Sequence, residues 1–435
     1  MTTIETATQT EPWAMALETL LQERPQEAES IRALRREAFA RFATSGFPTT
    51  RDEQWRLTSV QPIAGGAWVA PAAAAVDTAA IDALRIDEAA LELVFVNGRF
   101  MEGLSRLGDQ PEGVEFHALD RAFASPDGAL ASLGRIAPLT DNPFVALNTA
   151  LMTGGASIVI ADGARAGVVH AIFFTTGGAV AVAPRAFLRA GRGSEVTLVE
   201  THAGVGRYFT NAVTEIEAGE GSIVHHYAIV DESREAFRVA AIEAVQARSS
   251  SLHARLAGTG GALSRTDVGV RLEGEGATCA LDGLYLLEDR QHFDAHTRIE
   301  HAKPHTESLE LYKGVLAGAS RGIFNGLIIV RPDAQKIVSR QTNKNLLLSN
   351  EAIADSNPQL EIHADDVKCN HGSTIGQIDP TQLFYLRSRG IDLDEATAML
   401  TRAFASEVIE RMRIGSIRTR LERLVDRRLA GKESR

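Results

Sequence analysis

The sequence predicts a mostly β protein with helical regions at both ends, and three observations carry that reading. From about Pro143 to Gly376 the chain is a succession of short β-branched runs broken by Gly, Ser and Asn, with hardly a segment able to make a helix of ordinary length. Within it, corner-like residues recur at Gly193, Gly221, Ser250 and Gly276, separated by 28, 29 and 26 residues. A second turn signal accompanies each corner ("THAGVG", "VDESRE", "AGTGGA", "LEDRQH"), so one period holds two strands and two corners. Repeats of this size suggest a solenoid whose coils bury their inner faces on one another, with caps closing the ends. A sandwich of regular hairpins fits the same spacing, and spacing alone leaves both open.

The elements follow in order. Trp13, Leu17, Leu20 and Leu21, then Ile31, Leu34, Phe39 and Phe42, fall at helical spacings with Pro25 between them, which predicts a small helical unit. "AGGAWVAPAAAAVDTAA" has little amphipathic pattern and reads as a linker. "LELVFVNGRF" is a strand-like run ending in Asn97-Gly98, a hairpin turn signal, and suggests a small sheet ahead of the main body. After Pro380 the pattern returns to helix. Asp392 and Glu395 form a capping-box-like pair, and Leu393, Ala396, Leu400, Ala403, Phe404, Val408 and Met412 line one face. A second amphipathic stretch holds Ile417, Leu421, Leu424, Val425 and Leu429. From Arg411 to Arg435 there are nine Lys/Arg against three Asp/Glu, a pattern that usually marks a solvated helix face. The expected divisions are residues 1–80 (helices and linker), 81–142 (mixed connecting segment), 143–378 (β core) and 379–435 (C-terminal helices).

Composition bounds the function. A chain of 435 residues with 44% hydrophobic and 23% charged residues has ample material for a packed core. A formal charge of −11 repels nucleic acid and anionic membranes over most of the surface, so neither is an expected partner. No apolar run reaches the roughly 18 residues of a membrane span. Two cysteines, Cys279 and Cys369, make no disulfide framework and fit a reducing compartment. The start "MTTIETATQTEPWAMALETL" lacks the basic and apolar regions of a secretory signal, so a cytoplasmic protein is expected.

One stretch carries chemistry, "DDVKCNHGST" at Asp365 to Thr374. In an extended backbone Cys369 and His371 project from the same face, which permits joint ligation of a metal. Two ligands are half a coordination sphere, and no CxxC or HxxxH partner lies nearby. His292, His296, His301 and His305 belong to neighbouring coils, where histidines are usually hydrogen-bonded structural residues. A nucleophile reading needs an activated thiolate, and the adjacent Asp365 and Asp366 oppose it. For Cys369 alone, a small core residue is as good a reading as any. Cys279, in the alternating "GATCALDGLYLLED", reads as core. There is no GxxxxGK[ST] loop, so the chain does not bind ATP by that route.

From Asp294 onward, "DAHTRIEHAKPHTESLELYKGVLAGASRGIFNGLIIV", "QKIVSRQTNKNLLLSNEAIADSNPQLEIHADDVKCNHGSTIGQID" and "LFYLRSRGI" closely resemble the SufB/SufD family of iron–sulfur cluster assembly proteins. "FPTTRDEQWRLTSV" and "PFVALNTAL" resemble its SufD members rather than the larger SufB ones. The resemblance spans about residues 30 to 425 and is weakest over the Ala-rich residues 61 to 80.

It implies a right-handed parallel β-helix flanked by N-terminal and C-terminal helical regions, working in a complex with SufB and two copies of the ATPase SufC. It further implies a nascent iron–sulfur cluster, transient and shared with SufB, at the paired ends of the two β-helices. There a SufB cysteine faces a histidine whose place His371 holds. Cys369 matches a neighbouring family cysteine, as ligand or core. The C-terminal helices dock SufC in this family, which points to Leu400, Phe404 and Val408. ATP then belongs to SufC, and this chain is a scaffold with no permanent cofactor and no enzymatic role. A homodimer in isolation, a SufB-like scaffold acting alone, and a β-helix carbohydrate lyase or hydrolase are the rival expectations.

Overall fold

Parallel pairing decides between solenoid and sandwich. In the computed structural model, which describes residues 3–108, 111–126, 133–140 and 142–430, successive strands of the body alternate between two ten-stranded sheets. The first sheet runs from Ala89–Val96 through Arg165–Thr175, Glu195–Gly204, Ile223–Asp231, Ser251–Gly258, Thr278–Leu287, Glu307–Leu316 and Ile337–Leu347 to Val367–Gly376. The second runs from Gly154–Ile160 through Pro184–Ala190, Tyr208–Ala218, Phe237–Gln246, Leu263–Leu272, His292–His301 and Arg321–Val330 to Ile353–Ile362. Each strand pairs in parallel with the strand one coil away, and the register is unbroken from Glu195 onward in the first sheet. Hairpins would have paired neighbours antiparallel, so the body is a parallel β-helix.

The corners explain the near-period. At one edge Gly163, Gly193, Gly221, Ser249, Gly276, His305 and Lys336 all have positive φ. Each donates its backbone N–H to a carbonyl of the next coil, from Gly163 to Arg192 at 2.8 Å through Gly193 to Glu220 at 2.8 Å and His305 to Gln335 at 3.0 Å. Glycine meets that conformation without steric cost, which is why it marks most of these corners. At the third predicted corner the left-handed residue is Ser249, one position before Ser250.

Asn97 and Gly98 both have positive φ, at 51° and 77°, and turn Ala89–Val96 into Arg99–Phe100 as expected. That hairpin does not form a separate small sheet. Its long strand pairs in parallel with Arg165–Thr175 and becomes the first coil's share of the main sheet. Residues Pro143–Leu151, expected to be β, are a helix with Pro at its start and Asn142 capping the N–H of Phe144 at 2.9 Å.

Helices cover both outer faces. Thr3–Glu23 and Glu29–Ser45 flank Pro25 as expected, and Trp13, Phe42, Phe47 and Trp55 pack with Phe144 of the helix Pro143–Leu151 and with Phe209 of the second sheet. Leu393–Ile409 and Gly415–Ala430 lie on the first sheet, where Val408, Ile409, Met412, Ile417 and Leu421 pack against Tyr227, Ile229, Leu284 and Leu311. Asp392 caps the first of these helices, accepting from the Glu395 N–H at 2.8 Å. Part of the basic C-terminal charge is tied to the body: Arg411 to Asp282 at 2.9 Å, Arg420 to Asp231 at 2.6 Å. Among the described residues no helix is long and apolar enough to cross a membrane.

A buried ion pair fastens the strand Pro184–Ala190 to its surroundings. Arg185 donates to Glu215 at 2.6 and 3.0 Å and to Asn148 and Thr149 at 3.0 and 2.8 Å, while Glu215 also accepts the N–H groups of Gly134, Ile136 and Ala137. Removing one partner of such a pair leaves the other charge buried without its counterion. Arg185→Ala should therefore lower unfolding stability by about 3 to 5 kcal/mol in denaturant titration. A loss under about 0.5 kcal/mol, the scale of an ordinary surface substitution, would contradict this account.

Candidate functional site

In-register stacking turns each inward-facing position into a column of side chains. Val196, Val224, Leu252, Cys279, Ser308, Ser339 and Cys369 form one column. Leu198, His226, Ala254, Leu281, Glu310, Gln341 and His371 form the next. The stretch Val367–Gly376 is extended, so Cys369 and His371 do share a face, as expected of residues two apart in a strand. Cys369 is half-buried against the core and His371 is exposed.

The columns change character toward this end. Earlier coils contribute mainly Val, Leu and Ala to these positions, whereas the last three contribute Ser308, Glu310 and Tyr312, then Ser339, Gln341, Asn343 and Asn345, then Cys369, His371 and Ser373. Buried polar groups cost free energy unless paired, and here they pair along and across the columns. His301 contacts Thr306 at 2.7 Å and Ser308 at 3.0 Å, and Ser308 contacts Ser339 at 2.7 Å. Gln341 donates to Glu310 at 2.7 Å, Asn345 to Asn343 at 2.8 Å, and Tyr285 to Asn345 at 2.5 Å. Burial pushes the Glu310 carboxyl up to about 7. It also raises the Cys369 thiol, which opposes the thiolate that a cysteine nucleophile requires. Cys279 is buried in the core, as read from its alternating context, and its thiol is raised further.

The end itself is uncapped. Ile353–Ile362 and Val367–Gly376 are the last strands of the two sheets, and among the described residues their outward edges carry no further strand. The C-terminal helices lie along the first sheet instead of across this end. Ile375 is 45% exposed and Ile353 50% exposed, so the two end strands also present apolar side chains. An open strand edge with apolar neighbours is a template for pairing with another chain.

The other histidines considered do not join this site. His292 contacts Thr58 at 2.9 Å, His296 lies 3.0 Å from Asp294, His301 is inside the solenoid, and His305 is a positive-φ corner. Among the described residues no group of three or more His, Cys, Asp or Glu is placed to hold a metal.

The C-terminal helices were expected to hold apolar faces in want of a partner, and most of that surface proves to be used internally. Val408 is fully buried against the first sheet, and Leu400 and Phe404 are half-buried, with Phe404 under the Lys313 ammonium at 4.4 Å. The physical reason is the uncovered outer face of the first sheet, which offers these side chains a nearer apolar surface than any second chain. The exposed apolar residues lie elsewhere, at Phe384 (73%), Tyr385 (57%), Leu393 and Met399. "LFYLRSRGI" contained the signal, two adjacent aromatics in a helix with no internal face to fill.

The molecule is thus a parallel β-helix with helical flanks and an open end that bears Cys369 and His371. The chain belongs to the SufBD family: the SufBD protein N-terminal region matches residues 18–168, and the SUF system FeS cluster assembly SufBD core domain matches residues 173–404. It is similar to the iron–sulfur cluster assembly protein SufD of Escherichia coli, 30% identical over 394 residues that cover 89% of this chain and 90% of that protein. An iron–sulfur cluster assembly SufBD family protein of Synechocystis is also 30% identical, over 87% of this chain and 86% of the relative. SufD of Bacillus subtilis is 26% identical over 66% of this chain and 67% of its own length. The chain is thus a SufD homologue of the iron–sulfur cluster assembly system, and the carbohydrate-lyase reading is set aside.

The Glu310 carboxyl sets a pH dependence. The unfolded chain releases this proton near the ordinary glutamate value and the folded chain only near about 7. Stability from this group is therefore fully present below the ordinary value and falls as pH rises between the two, by roughly 3 kcal/mol at most. Glu310→Gln should flatten that slope in melting curves taken from pH 4.5 to 8. An unchanged slope would show that Glu310 does not titrate there.

Proposed function

We propose that this chain is a non-enzymatic scaffold subunit that pairs with SufB through the uncapped end of its β-helix and docks the ATPase SufC on its C-terminal helices. The observation that carries the reading is the uncapped last coil, where a polar interior surfaces at Cys369 and His371 beside an unpaired strand edge. A single exposed imidazole fills only part of a coordination sphere, and an open edge is where a second chain adds the rest. A neutral imidazole is a good donor to iron. His371 is accordingly the residue of this chain that holds the nascent cluster, which is cargo and not a resident cofactor. Cys369, half-buried with a raised thiol, serves mainly as packing beneath it.

The docking surface for SufC lies on Phe384, Tyr385, Leu393 and Met399 more than on Leu400, Phe404 and Val408, because the former are exposed and the latter largely occupied by the chain's own sheet. Nothing in this arrangement requires the chain to bind ATP, which is SufC's task. The assembly acts in the cytoplasm.

Co-expression with SufB and SufC tests both halves. His371→Ala should leave all three chains co-purifying while iron and sulfide per complex fall severalfold. Phe384→Asp with Leu393→Asp should lose SufC yet keep SufB. If His371→Ala retains the wild-type iron content, His371 is not a ligand. SufC retained by the folded double variant removes the proposed patch.

A further inference from the structure

His371 and Gln341 are in-register partners on adjacent parallel strands, which places their backbones about 4.8 Å apart. Both occupy the inward-facing column that continues to Glu310. Gln341 is fully buried, and its amide is tied at one end, Nε2 donating to Glu310 Oε2 at 2.7 Å. Its other end, Oε1, is buried with no hydrogen-bond partner. A buried carbonyl oxygen is an acceptor that needs a donor. Glu310 flanks Gln341 on one side of the column, and on the other side the next residue is His371, whose imidazole carries an N–H.

From this we infer that Gln341 is a positioning residue for His371: its Oε1 accepts one ring N–H of the imidazole, and Glu310 keeps the amide from turning over. The consequence follows from the two nitrogens of the ring. When one is held as N–H, the other must carry the lone pair, and a ring fixed from beneath directs that lone pair toward the open end of the solenoid. Metal-binding histidines are commonly oriented in this way by an acceptor behind the ring. A glutamine supplies the acceptor without placing a second full charge on the buried column, where Glu310 already sits.

The purpose of this orientation rests on the reading of His371 as a cluster ligand, but the inferred hydrogen bond needs no second chain and is tested in the isolated protein. Full-length protein labelled with ¹⁵N-histidine is examined at pH 8.5 by long-range ¹H–¹⁵N correlation, which separates the two neutral tautomers of a ring. His371, assigned by its loss in His371→Asn, should show widely split nitrogen shifts, the signature of one fixed tautomer. Gln341→Met, of similar length but with no oxygen, should collapse the splitting toward the average of a free imidazole. Gln341→Glu, whose carboxyl shares one proton with that of Glu310 and so keeps both the link to Glu310 and an acceptor at the same place, should restore it. An averaged imidazole in the wild type overturns the inference, and so does a fixed tautomer that survives in a folded Gln341→Met chain. Should Gln341→Met fail to fold, the wild type and the Gln341→Glu chain decide, since both must show the split shifts. Unchanged iron content in His371→Ala would sink the ligand reading and leave this spectrum unaffected.

Discussion

Unbroken parallel register is the constraint from which the rest of the molecule follows. Because each strand of the first sheet from Glu195 onward pairs residue for residue with the strand one coil away, the character of an inward position is passed along a column. Like residues stack well on like. Phe95, Phe173 and His202 are in-register neighbours whose rings lie 5.0 Å apart at each step. A column that stays apolar builds core, as the early coils do. One that turns polar has to satisfy itself within the stack, and the ladder from Ser308 and Glu310 to Ser339 and Gln341 does so in part, leaving Gln341 Oε1 without a partner below the last coil. There the column ends in Cys369 and His371, with no further coil to receive it.

The same constraint explains how much of the molecule was legible in its sequence. Corners were visible because left-handed backbone favours glycine, and Gly193, Gly221 and Gly276 are true corners. Ser249, His305 and Lys336 occupy the same conformation without glycine, so the period fades at those coils. Sheet pairing was not legible, since a two-strand period fits hairpins and coils equally. The helix Pro143–Leu151 was hidden by its apolar composition: seven of its residues are buried, and helical periodicity disappears when nearly every face is covered.

At the candidate site, spacing alone placed Cys369 and His371 on one face, and the strand bears that out. Gln341 and Glu310 could not have been found that way. They lie 30 and 61 positions before His371, and only the coil-to-coil register brings them into its column. The C-terminal helices show the opposite limit. Their amphipathic faces were plain in the sequence, but amphipathicity does not say which surface is covered, and the nearer one was the chain's own first sheet. What remains for a partner is the pair of aromatics at Phe384 and Tyr385 and the apolar residues beside them.

The central claim is that a nascent cluster is held at the open end by an imidazole of this chain. It is tested most directly by building the complex from ¹⁵N-histidine-labelled chain and unlabelled partners, reducing the assembled cluster by one electron, and recording hyperfine spectra. The account predicts a ¹⁵N coupling of the size of a directly bound imidazole, absent when the labelled chain carries His371→Asn. A cluster formed in normal yield with no ¹⁵N coupling from this chain would contradict it.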